Sequence, residues 1–147
     1  MNLIKLLNGA AVGIYGVVLS ASFCSIRWTR RKSLLLAGIT LLLLLLQGVV
    51  TLKLSLAANA YLYPFMIHVP LAIALCLLSG TWVWPPIAVL TAYLCCQLRR
   101  WFGLMAAAML GSGAQSITEL IITLPMLLLL LRFVSPSVRS LAEYPPK

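Results

Sequence analysis

Acidic side chains are almost missing from this chain. Glu119 and Glu143 are the only acids among 147 residues, and charged groups of both signs make up 9%. Soluble domains carry roughly 25%, so a water-facing surface of ordinary composition is excluded. A carboxylate pair for acid–base chemistry is excluded too, because Glu143 falls in the terminal tail. Histidine is scarce: His68 stands alone. With no His/Cys/Asp cluster at ligand spacing, no metal centre is expected. No Gly-rich phosphate loop, H-E-x-x-H or nucleophile beside a base occurs, so the chain is not expected to be an enzyme or to need a cofactor. A selectivity-filter sequence is absent as well. The four cysteines, Cys24, Cys76, Cys95 and Cys96, include no C-x-x-C pair and lie in or at the ends of apolar runs. They read as small helix residues rather than a disulfide framework.

What is abundant is apolar length. Hydrophobic residues make up 63% of the chain. Uncharged runs cover residues 6–26, 33–52, 54–98 and 102–118. Between them stand Arg27, Trp28, Arg30, Arg31 and Lys32; then Lys53; then Arg99, Arg100 and Trp101. Trp82 and Trp84 mark a further break inside the third run. About 20 apolar residues cross a hydrocarbon core of about 30 Å, and indoles and basic groups gather at its borders. The pattern predicts an all-α polytopic membrane protein with about five spans, near residues 6–26, 33–52, 61–79, 85–98 and 117–134. Residues 102–116, with the weak helix stretch Gly111-Ser112-Gly113, read as an interfacial or re-entrant helix. The membrane domain is expected over residues 1–134, followed by a short cytoplasmic tail over 135–147.

The first run is longer than a signal-peptide core, and a strong basic cluster follows it, so it is expected to stay as a span. The formal charge of +9 is spread over span ends and forms no stripe interleaved with exposed aromatics. Nucleic acid is therefore not an expected partner; anionic lipid headgroups of the bilayer are. With five spans, Arg27, Arg30, Arg31, Lys32, Arg132, Arg139 and Lys147 share one side. Lys5, Lys53, Arg99 and Arg100 share the other. The positive-inside rule then places the amino terminus outside and the carboxyl terminus in the cytoplasm.

A few residues interrupt the apolar grammar. Gly9, Gly13 and Gly16 lie on one helix face, with Ser20 beyond them. They admit a close helix neighbour, either another span of the same chain or a second copy in a homodimer. In the third span, Pro64 and Pro70 remove backbone donors, and the helix is expected to bend or widen there. Tyr61, Phe65 and His68 fall on one face near these prolines. They either line a ligand cavity or pack inward around a hydrogen-bonded imidazole. Gln115 and Glu119 are four apart and share a helix face. Glu119 inside hydrocarbon needs a partner, for which Arg99, Arg100 and His68 are the candidates; at the interface it is a span-end charge.

Residues 61–71 (YLYPFMIHVPL) and 90–103 (LTAYLCCQLRRWFG), together with the closing run 124–134 (LPMLLLLLRFV), resemble a known pattern. They are similar to the amino-terminal membrane sensor region of bacterial sensor histidine kinases of the GHKL type, relatives of quorum-sensing peptide receptors. The resemblance implies a multi-helix domain of the bacterial cell membrane. It would sense an extracellular peptide or small molecule and pass the signal to a kinase in a two-component system. No catalytic part follows here, and His68 within a span cannot serve as phosphoacceptor. The implied function is a sensor module without its own output, acting through a kinase catalytic partner. The alternative is a small transporter subunit or membrane scaffold, in which proline-broken helices would line a solute path.

Overall fold

The computed structural model describes residues 3–53, 64–111 and 113–143. Every element among the described residues is helical. Helix α1 is Leu3–Phe23 and α2 is Arg30–Lys53. A π-helical turn, Pro64–His68, leads into α3, Val69–Ser79. Helix α4 is Trp84–Leu110 and α5 is Ala114–Leu129. A second π-helical stretch, Leu130–Val134, joins α5 to α6, Ser135–Glu143, without a break. Five rods result, because α5 and α6 form one continuous column.

Local chemistry explains the ends. Helix α3 stops at Gly80, whose φ of 77° is left-handed and which donates its N–H to Cys76 O; glycine adopts this conformation without a Cβ penalty. Helix α4 opens with Pro85 and Pro86 in its first turn, where a missing donor costs little. The two π-helical segments share a cause. Each ends two residues before a proline, His68 before Pro70 and Val134 before Pro136. A proline ring clashes with the carbonyl four residues back and cannot donate to it. A wider turn relieves both problems, and Ser135 N–H accordingly reaches back to Leu130 O.

Contacts at the two ends of the rods fix an up-and-down arrangement. At one end Trp84 Nε1 donates to Phe23 O at 2.9 Å, Lys32 Nζ to Leu78 O at 2.7 Å, and Ser135 Oγ to Ser22 O at 3.1 Å. At the other end Asn8 meets both Arg99 and Glu119. Helices α1 and α4 are therefore antiparallel, while α1 and the α5–α6 column run the same way. Helix α2 returns along α1: a Cβ on Gly13 would meet Leu44, and one on Gly9 would meet Gln47. The close-contact face of Gly9 and Gly13 is thus occupied from within the chain, and Gly16 faces Cys96 of α4.

One expectation changes. Residues 102–110 form no separate interfacial or re-entrant helix: α4 runs unbroken through Arg99, Arg100 and Trp101 to Leu110. Alanines, leucines and methionines over residues 104–110 carry high helix propensity, and the first break is Gly111, with φ at 97°. Ser135–Glu143, the first part of the expected tail, continues the α5 column as helix. Tyr61 and the connection near Asn59 lie outside the described residues.

The buried core centres on Tyr15, Leu19, Phe23, Leu75 and Ala88. Its counterpart is a large exposed apolar surface. Leu34, Leu42, Leu77, Leu94 and Leu110 are among many large side chains left open. Two helical stretches, Arg30–Val50 and Ala114–Ala142, are long and apolar enough to cross a membrane. Only 6% of the first is buried, whereas the core helix of a soluble protein is mostly covered.

Candidate functional site

Two charged side chains are buried together. Arg99 on α4 is 5% exposed and Glu119 on α5 is 7% exposed. Arg99 Nη2 stands 3.6 Å from Glu119 Oε2. The antiparallel α4–α5 hairpin brings them to one level, and Gly103, one turn past Arg99, makes room. A Cβ there would sit 2.5 Å from Glu119 Cγ and 3.0 Å from Oε1. The glycine is what lets the carboxylate lie flat against α4.

Neutral polar groups complete the cluster. Asn8 on α1 bridges the ion pair: its Nδ2 donates to Glu119 Oε2 at 2.6 Å, and its Oδ1 accepts from Arg99 Nη1 at 2.5 Å. Gln115 Nε2 donates to Glu119 Oε1 at 3.0 Å. Thr123 Oγ1 accepts from Arg99 Nη1 at 3.1 Å and donates to Glu119 O at 2.6 Å. Three rods are therefore tied by one network. Burying either charge alone would be costly, and pairing plus hydrogen bonds is what makes such burial tolerable.

Arg99, Gln115 and Glu119 of this network line one end of a half-open cavity of about 480 Å³ between α1, α3, α4, α5 and the first π turn. Val17, Leu71, Val89 and Ala92 line its apolar end. Gln97, Arg99, Arg100, Gln115 and Glu119 line the polar end. Along α4 the lining runs from Val89 to Arg100, about 16 Å at helical rise, so the cavity is long as well as graded. His68 and Tyr93 stand on its wall, their rings edge-to-face with centroids 4.9 Å apart.

Of the residues singled out in the sequence, His68, Gln115 and Glu119 line the cavity together, as do Gly13 and Gly16. Phe65 is 71% exposed and is not among the lining residues. The π turn carries the reason: its wider coil separates positions three apart further around the axis than an α-helix does. Among the partners considered for Glu119, Arg99 takes the role. Asn8 and Thr123 were not anticipated. Thr123 continues the four-residue series from Gln115 through Glu119, so one helical face carried that signal. Asn8 is a lone amide near the start of an apolar run, and only the fold reveals its bridging position. Among the described residues no group of His, Cys, Asp or Glu could hold a metal ion. No protein-family model matches the chain, and no curated protein or solved structure is significantly similar to it.

Proposed function

We infer that this chain is a five-span membrane sensor module that passes its signal to a cytoplasmic kinase catalytic partner. The observation carrying this reading is the graded cavity whose polar end carries the Arg99–Glu119 pair, itself bridged by Asn8. Buried ionisable groups at membrane depth mark functional sites by default, and a cavity of this size suits a small ligand. Five rods account for five crossings, with the amino terminus, the α4–α5 turn and the polar end of the cavity outside. The end rich in Arg27, Arg30, Arg31 and Lys32 then faces the cytoplasm, in keeping with the excess of basic residues there. The α5–α6 column links Gln115 and Glu119 directly to the carboxyl-terminal end. A ligand that reorganises the network would bias the position of this column, and the π stretch at Leu130–Val134 supplies a place where its register can change.

The resemblance to sensor regions of GHKL-type histidine kinases gives the partner its class. A transport role fits less well. The charged lining, Arg99, Arg100 and Glu119, is confined to one end, and Ser20 at the other end already donates to Gly16 O at 2.7 Å.

The test uses the purified chain in lipid nanodiscs with labelled ATP and Mg²⁺, with and without the cytoplasmic catalytic fragment of such a kinase. The expected outcome is no label on the chain and a specific change in labelling of the fragment. Label on the isolated chain, or a fragment indifferent to its presence, would contradict the reading.

A further inference from the structure

We propose that the cavity takes a single-chain amphiphile with a monoanionic carboxylate head, a medium-chain fatty acid being the simplest member of the class. This rests on reading the cavity as the sensing site and adds the chemistry of what it senses. The shape comes first. The lining stretches about 16 Å along α4, apolar from Val89 and Ala92 and polar from Gln97 to Arg100. An elongated site graded in this way is complementary to a molecule that is greasy at one end and polar at the other. Each methylene buried against Val17, Leu71 and Val89 contributes in the ordinary way of apolar burial.

The charge of the head follows from what is already neutralised. Arg99 is occupied by Glu119, Asn8 and Thr123. Arg100, the next residue, lines the same end but is exposed. At this end of the cavity Glu119 is paired with Arg99, and among the described residues no carboxylate is paired with Arg100. One cation is therefore left at the mouth, and a guanidinium holds a carboxylate by paired, charge-assisted hydrogen bonds. Glu119 lines this end too. Its negative charge disfavours a dianion such as a phosphate monoester, and a singly charged head is what the balance admits. Gln97 and Gln115 offer amide groups beside it.

The head also explains how occupancy would reach the helices. Gln115 is both a lining residue and a donor to Glu119. A carboxylate that recruits the Gln115 amide takes one hydrogen bond, made within α5, away from Glu119 and leaves that side chain held by its ties to Asn8 of α1 and Arg99 of α4.

The experiment titrates decanoate, decanol, butyrate and a lysophosphatidylglycerol into the full chain in nanodiscs, with empty nanodiscs subtracted. Decanoate is expected to bind saturably, and butyrate, lacking the chain, is not. Arg100→Gln, an exposed substitution that leaves the buried network intact, should weaken decanoate by roughly tenfold or more while changing decanol by less than about twofold. Equal binding of decanoate to both proteins would overturn the assignment of the head. Saturable binding of the lysophospholipid with none of decanoate would overturn the free-acid class in favour of a bilayer lipid. The same proteins are then assayed with the kinase fragment. Decanoate binding without any effect on the fragment supports the ligand class and counts against the sensor reading. An effect of the chain on the fragment with no decanoate binding does the reverse.

Discussion

Replacing Glu119 by glutamine should destabilise the bundle more than any surface change of the same size. At 3.6 Å two unit charges attract by about 4–5 kcal/mol at an effective dielectric of about 20. Both groups are nearly sealed from surroundings, so the attraction offsets a desolvation cost already incurred in folding. The Glu119→Gln side chain keeps the volume and one acceptor but leaves the Arg99 guanidinium charged and uncompensated. Breaking one side of a buried pair typically costs about 3–5 kcal/mol. For a chain of this length each kcal/mol lowers Tm by about 2–4 °C, so thermal unfolding in nanodiscs should drop by roughly 6–12 °C at the lower cost. The double variant Arg99→Met with Glu119→Leu removes both charges together. It should recover part of that loss, because no uncompensated charge remains, while Asn8 and Gln115 still lose the partners they bond in the parent. With the single variants Arg99→Met and Glu119→Leu completing the cycle, the coupling should be at least about 2 kcal/mol. If the two single effects simply add, or if Glu119→Gln moves Tm by less than about 2 °C, the pair does not stabilise the fold as argued.

Three further substitutions probe the contacts around this site by the same unfolding measurement. Gly103→Ala places a Cβ 2.5 Å from Glu119 Cγ; it must displace the carboxylate and should cost about 1–3 kcal/mol, and an unchanged Tm would mean Glu119 does not depend on the glycine. Gly13→Ile drives a branched side chain toward Leu44 and Gln47 of α2; it should lower Tm by several degrees without changing oligomer size on a sizing column, whereas dissociation of an oligomer would reassign this face to a second copy. Trp84→Phe deletes the bond to Phe23 O and should cost about 1 kcal/mol, while no loss would show that the α1–α4 closure rests on packing alone.

The helical class was legible because apolar runs with basic and indole borders admit little else. Helix borders were readable where a charge or a glycine stood, as at Lys53 and Gly80, and misleading at Arg99-Arg100-Trp101. Three polar-tipped residues look like an interface, yet α4 passes straight through them because Arg99 is paired inside rather than solvated outside. Gln115 and Glu119 were readable as one face by their spacing, and Thr123 was open to the same logic. Asn8 was not, since bridging depends on α1 lying against the α4–α5 hairpin, a long-range fact that no local pattern encodes. Phe65 shows the opposite failure: an α-helical spacing rule was applied across a stretch that winds as a π turn.

The account stands on the cavity's polar end and the carboxyl terminus facing opposite sides of the bilayer, because only then can the α5–α6 column carry information across it. Alkaline phosphatase, active only outside the cytoplasm, can be inserted after Gly111 in the α4–α5 turn and, separately, fused after Lys147. The account predicts activity from the insertion at Gly111 and none from the fusion at Lys147. The same result at both positions, or activity at Lys147 alone, would contradict it.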